Sequence, residues 1–228
     1  MEFARSSEDG PQFGLDSRTR AKTDEHLREM ENLARGLSAL RSFRSRDRGN
    51  PLYLRYPEAW FESQARAEIQ SIDAGLLRHP VYGQVPQFAG GQRGLIDLLA
   101  VDSSGRLAVV ELKTAQDIHL PLQALDYWMR VRWHLEQGEF THAGYFPGLP
   151  LRDEPPKLYL VAPALEFHPS NETVLQYLAP EIEVERIGIG LEWRKEFKVM
   201  FRRTNGRCLT KDGPGSEVKL WRSQSSGS

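Results

Sequence analysis

Residues 94–113, which read Gly-Leu-Ile-Asp-Leu-Leu-Ala-Val-Asp-Ser-Ser-Gly-Arg-Leu-Ala-Val-Val-Glu-Leu-Lys, constrain the fold more than any other stretch. Two apolar runs, Leu95 to Val101 and Leu107 to Leu112, flank an Asp-Ser-Ser-Gly turn, the composition and spacing of a β-hairpin. Strands so continuously apolar are covered on both faces, which puts them at the centre of a sheet with helices above and below. Three charges interrupt them: Asp97, Glu111 and Lys113. A charge in such a strand is costly unless it is paired or bound to something. Glu111 and Lys113 are two apart and face the same side of a strand, and hairpin pairing can bring Asp97 beside them. Two carboxylates and an amine at a strand end make a small hard-oxygen pocket with a cation attached. Such a pocket suits Mg²⁺ or Mn²⁺.

The flanks carry polar groups at helical spacing. A helix is expected after Pro57, with Trp60, Phe61, Ala65, Ala67 and Ile69 on its buried side. Glu58 and Glu62 share one face of it, and either can reach the pocket. Glu62 lies deeper in the helix and is the preferred of the two. A second helix is expected from about Pro121, with Leu122, Leu125, Trp128, Met129 and Val131 on its apolar side. Gln123 and Tyr127 share another of its faces at i, i+4.

Asp97 followed by Glu111-Leu112-Lys113 resembles the catalytic signature of the PD-(D/E)XK nuclease superfamily, most closely its RecB-like and archaeal single-strand endonuclease branches. Pro57-Glu58-Ala59-Trp60-Phe61-Glu62-Ser63 resembles the family's first-helix motif, which contributes a glutamate. Gln123-Ala124-Leu125-Asp126-Tyr127 matches the Gln-x-x-x-Tyr motif of the RecB-like branch. Ile96 stands where the family's name has proline, a position that varies within it. The resemblance covers roughly residues 55 to 135 and implies a restriction-endonuclease-like α/β core, a central mixed β-sheet flanked by helices. It also implies that Asp97, Glu111 and the main-chain carbonyl of Leu112 hold Mg²⁺ or Mn²⁺, with Glu62 contributing directly or through a water. Lys113 would position or help deprotonate the attacking water, Gln123 would orient the centre, and Glu58 and Tyr127 would support it.

The remaining sequence sets boundaries. In 228 residues with 39% hydrophobic content there is material for one ordinary domain with extensions. The expected division is 1–50, a mobile tail and an amphipathic basic helix; 51–190, the nuclease-like domain; and 191–228, a basic strand extension and flexible tail. Leu27, Met30, Leu33, Leu37 and Leu40 define the first helix. No run approaches a membrane span, and no apolar signal region is seen at the N-terminus. The single Cys208 excludes an internal disulfide and a cysteine-based zinc site, so a cytoplasmic setting is expected. The glycine-rich stretch 89–94 precedes a strand and lacks a Gly-Lys-Ser/Thr ending, so no nucleotide cofactor is expected.

A strand is expected over Lys157 to Pro163, a short helix over Thr173 to Leu178, and strands over Ile182 to Ile189 and Leu191 to Phe201. His119 and His134 read as hydrogen-bonded surface or boundary residues, since their spacing makes no zinc triad. The net charge of −1 decides nothing about partners, but its distribution does. Arg44, Arg46 and Arg48 are candidates to contact DNA phosphates. So are Lys198, Arg202 and Arg203, which lie in a basic segment interleaved with Trp193, Phe197 and Phe201, aromatics able to stack on bases. A plain solvated helix end and a charged edge strand explain the same residues.

Two classes of function follow. One is a metal-dependent deoxyribonuclease, endo- or exo-acting, of repair, recombination or defence type, working as a homodimer if it cuts duplexes. The alternative is a non-catalytic nuclease-like domain that binds nucleic acid or a protein partner.

Overall fold

The computed structural model describes residues 4–5, 12–14, 19–40, 55–86 and 95–205. In chain order, three two-residue strands come first: β1 (Ala4–Arg5), β2 (Gln12–Phe13) and β3 (Thr19–Arg20). They pair antiparallel, with Phe13 buried, where the sequence suggests only a mobile tail. Helix α1 (Asp24–Leu40) follows and buries Leu37. Next come α2 (Pro57–Ala67), α3 (Ile69–Ile72), β4 (Tyr82–Pro86), β5 (Leu95–Val101) and β6 (Leu107–Leu112). Helix α4 (Leu120–Glu136), α5 (Glu139–His142), β7 (Lys157–Pro163), α6 (Pro169–Leu175), β8 (Val184–Ile189) and β9 (Val199–Asn205) complete the set.

Strands β4 to β9 form one sheet in sequence order. The steps β6–β7 and β7–β8 are parallel and the other three antiparallel, so the sheet is mixed. Each parallel step needs a crossover, and α4 and α6 lie in those two connections. The hairpin turn is closed by Asp102, whose Oδ1 accepts from the Ser104 and Arg106 backbone N–H groups at 2.8 and 3.0 Å. Gly105 takes φ 90° there, a conformation that favours glycine.

Alternation along the central strands builds two cores. Leu99, Val101, Leu107 and Val109 pack with Leu120, Ala124, Tyr127, Trp128, Val131 and Leu135 of α4. Leu98, Ala100, Ala108, Val110 and Leu112 pack with Trp60, Phe61, Ala65, Ile69 and Ile72 of α2 and α3. Helices thus cover both faces of the hairpin, which is why its strands carry no polar alternation. This α/β architecture, a mixed sheet flanked by helices, is compatible with a restriction-endonuclease-like core.

Several sequence expectations are corrected. Residues 191–195 form a turn rather than a strand, and β9 starts only at Val199. Trp193 and Phe197 are buried there: Trp193 meets Trp60 and Phe61 edge-on at 5.7 and 5.0 Å, and Phe197 lies 5.7 Å from Phe61. Helix α6 begins at Pro169, earlier than Thr173, because His168 caps it by accepting from the Ser170 N–H. Leu122 and Met129 are about half exposed, since the buried stripe of α4 runs through Ala124, Tyr127, Trp128 and Val131. Ala67 is exposed at the end of α2. His134 is buried, with Nδ1 2.6 Å from Glu139 Oε2.

Candidate active site

The centre of the site is a fork in the sheet. The β5–β6 ladder runs from Val101–Leu107 to Leu98–Val110 and stops one pair short of Asp97 and Glu111. On the other side β5 pairs with β4 at Gly83–Leu98 and Val85–Ile96, but the ladder skips Gln84 and Asp97 between them. Gln84 takes φ 53° at that gap. Meanwhile β6 stays with β7 through Leu112–Val161, and the Lys113 N–H donates to the Val161 carbonyl at 3.1 Å. The Asp97 carboxylate fills the opening: its Oδ2 accepts the Leu112 backbone N–H at 2.8 Å. A side chain thus takes the place of a ladder bond where the strands part.

Electrostatics at the fork are dominated by burial. Glu111 has a 1% exposed side chain, and its Oε2 finds no hydrogen-bond partner among the described residues. Burial, and then the neighbouring Asp97 charge, push Glu111 up to about 9. Burial pushes Asp97 up to about 6, against the pull of the Leu112 N–H and Lys113. Lys113 Nζ lies 3.6 Å from Glu111 Oε1 and 3.8 Å from Asp117 Oδ2. Burial opposes its charge, but Glu111, Asp97, Glu58 and Asp117 outweigh that and raise its pKa, so Lys113 stays a cation. Burial outweighs the pull of Lys113 on Glu111, whereas the surrounding carboxylates outweigh burial at Lys113, so both groups hold their protons more tightly.

The fork opens into a cleft of about 1130 Å³ lined by α2, β4 and the ends of β5 and β6, including Asp97, Leu112 and Lys113. Glu58 and Glu62 both reach it, and they differ sharply. Glu58 is exposed, and its charge is felt at Asp97, Glu111 and Lys113. Glu62 is buried, and each carboxylate oxygen is engaged: Oε1 by the Arg66 guanidinium, Oε2 by Gln84 Nε2 at 2.8 Å. Among the described residues, no group of three or more His, Cys, Asp or Glu is arranged to hold a metal ion. The structure therefore brings Asp97 and Glu111 together as a pair, with Lys113 beside them. Glu62 is held by Arg66 and Gln84, while its charge, like that of Glu58, raises the pKa of Asp97.

Gln123 Nε2 donates to the Tyr127 hydroxyl at 2.9 Å. Tyr127 is buried under the site, and burial raises its pKa, with the Glu111 and Asp97 charges adding to the shift. The basic candidates are placed elsewhere. Arg202 donates to the Ser71 and Ile72 carbonyls and lies 3.2 Å from Glu185. Arg203 is 3.5 Å from Glu172, and Lys198 is exposed just before β9. Strand β9 is the sheet edge opposite β4, so none of the three borders the cleft. Arg44, Arg46 and Arg48 lie outside the described residues.

No role for Arg66 or Gly83 is read in the sequence, which allows Gln84 near the site in the sheet without a catalytic role. Arg66 was legible as the i+4 partner of Glu62, whereas the position of Gln84 opposite Asp97 emerges only from strand register.

A donor set of two carboxylates, one of them buried with an orphaned oxygen, fits a small divalent cation. The chemistry of Mg²⁺ or Mn²⁺ would also offset the charge that burial disfavours on Glu111.

No protein-family profile matches the chain, and no curated protein does. Among solved structures, the chain is similar to a repair endonuclease from Pyrococcus abyssi, at 21% identity and TM-score 0.36, over 50% of this chain and 40% of that one. It is also similar to the protein in an EndoMS–dsDNA complex, at 19% identity and TM-score 0.36, over 55% of this chain and 42% of that one. The chain spans under half the length of either. The chemistry of the site rests on its own geometry.

Proposed function

We propose that the chain is a metal-dependent deoxyribonuclease that hydrolyses phosphodiester bonds at the sheet fork. The observation that carries this reading is Glu111: a buried carboxylate with an unpartnered oxygen, beside Asp97 and Lys113, both of which line an open cleft. A carboxylate buried for stability alone is an uncommon arrangement, because desolvation costs more than one ion pair returns.

Asp97 and Glu111, with the Leu112 main-chain carbonyl, would hold Mg²⁺ or Mn²⁺. The ion supplies an acidified water and neutralises charge on the scissile phosphate. Lys113 keeps its proton and stands ready to steady the attacking water and the negative charge that develops on phosphate. The Leu112 N–H orients Asp97 before substrate arrives. Gln123 and Tyr127 brace the helix face under the pair. Glu58 is the free acid on the cleft wall, placed to add a further ligand directly or through water.

The alternative, a nuclease-like domain that only binds nucleic acid or a protein, draws support from Glu62, whose oxygens are both engaged by Arg66 and Gln84. Cleavage separates the two. Labelled single-stranded, duplex and flapped DNA incubated with Mg²⁺, Mn²⁺ or EDTA should be cut in the metal-containing reactions alone. An intact substrate in all of them contradicts the enzyme.

A further inference from the structure

Glu62, Gln84, Gly83 and Arg66 form a second polar assembly on the cleft wall. Arg66 is on the last turn of α2 and lines the cleft with a 43% exposed side chain. Its guanidinium is bound by Glu62, whose side chain is only 7% exposed. Glu62 is fixed in turn by Gln84, at the residue where the β4–β5 ladder is broken and φ is 53°. Gly83 leaves the space: a methyl group there would overlap the Arg66 guanidinium and the Glu62 carboxylate.

An exposed arginine needs none of this, since a solvated i, i+4 ion pair contributes little to stability. Here a buried acid, a strained glutamine and a missing Cβ all converge on one guanidinium. Arg66 lines a cleft whose other lining cation among the described residues is Lys113 and which also carries Glu58 and Asp97. A polyanion entering past those acids needs an oriented positive group at the wall. A planar, pre-aimed guanidinium suits phosphate oxygens.

We propose that Arg66 is a backbone-phosphate subsite for the nucleic-acid strand, and that Glu62, Gln84 and Gly83 are the positioning residues that aim it. This rests on the nuclease reading for the identity of the polyanion. It also gives Glu62 a role in substrate placement rather than at the reacting centre. The contact is to phosphate, so it carries no base preference.

The test is binding of a labelled single-stranded oligonucleotide and a duplex, by anisotropy across a series of KCl concentrations, in EDTA and again in Ca²⁺. Arg66→Ala should weaken binding about tenfold and lower the slope of log affinity against log salt by about 1. Gly83→Ala should do the same with Arg66 still present, because the methyl group displaces the flexible end of the arginine. Lys195→Ala removes a positive charge beside Glu192, away from the cleft, and should leave both quantities unchanged. Wild-type binding with an unaltered slope in Arg66→Ala overturns the subsite and leaves the nuclease reading standing. Loss in Arg66→Ala with none in a folded Gly83→Ala overturns the positioning roles. Absence of wild-type binding under both conditions overturns the subsite together with the reading beneath it.

Discussion

The carboxylate of Asp97 accepts the backbone N–H of Leu112 at 2.8 Å, at the point where β5 leaves β6. One bond therefore both seals the end of a ladder and aims a charge at the cleft. Substitutions can separate the two tasks. Asp97→Asn keeps an oxygen for the Leu112 N–H and removes the charge; Asp97→Ala leaves that donor unpaired, at about 1–3 kcal/mol. Thermal melts at pH 8 should place Asn at or above wild type and Ala below Asn. Addition of Mg²⁺ should raise the melting temperature of wild type and of neither variant.

Glu111 makes the protein's stability depend on pH. Unfolded, it loses its proton near 4.5; folded, burial and Asp97 hold the proton up to about 9. Between those values the folded chain binds more protons than the unfolded one, so stability is present below the lower value and is lost as pH rises through the window. Asp97, pushed up to about 6, adds to the loss over the lower part of it. Glu111→Gln should flatten the profile and raise the melting temperature at pH 8 by roughly 4 °C. A variant that melts with the same pH slope as wild type would show that Glu111 is not the group responsible.

The same proton competes with the metal. Ligation requires the carboxylate, so calorimetric Mg²⁺ affinity should climb between about pH 6 and 9 and release protons as it does. Identical enthalpies in buffers of different ionisation heat would argue against Glu111 as a ligand.

Lys113 lies 3.6 Å from Glu111 and keeps its charge. Lys113→Met should leave Mg²⁺ binding measurable while cutting cleavage by about 10²-fold or more. Loss of metal binding in that variant would assign the lysine to holding the carboxylates rather than to the reaction.

Trp193 and Phe197 are part of the core, edge to face with Trp60 and Phe61. Trp193→Ala should cost about 3–5 kcal/mol in denaturant unfolding. The folded fraction should bind DNA like wild type. A selective drop in affinity at full stability would restore the stacking role that a sequence of interleaved aromatics and basic residues suggests.

Legibility in the sequence followed how local the cause was. The hairpin and β7 are read with their observed limits, because a six- or seven-residue apolar run between turn signals has one compact solution. Period-two geometry puts Glu111 and Lys113 on one side of a strand, and hairpin pairing can bring Asp97 beside them. Elsewhere the deciding contact was remote. The stretch 191–201 alternates like a strand, but Trp193 is drawn into a turn by the aromatic rings of α2. Glu62 is preferred over Glu58 in the sequence because it lies deeper in its helix; that same depth brings it against Gln84, which engages its Oε2. Arg202 reads as a free basic residue until β9 lies beside α3 and its guanidinium reaches the Ser71 and Ile72 carbonyls.

The most direct measurement is cleavage of end-labelled DNA in Mg²⁺ by wild-type protein beside Asp97→Ala, purified in parallel, each with an EDTA control. Metal-dependent cutting by wild type that disappears in the folded variant is the expected result. Equal cutting by both proteins, or cutting that survives EDTA, would contradict a cation-dependent centre at the fork.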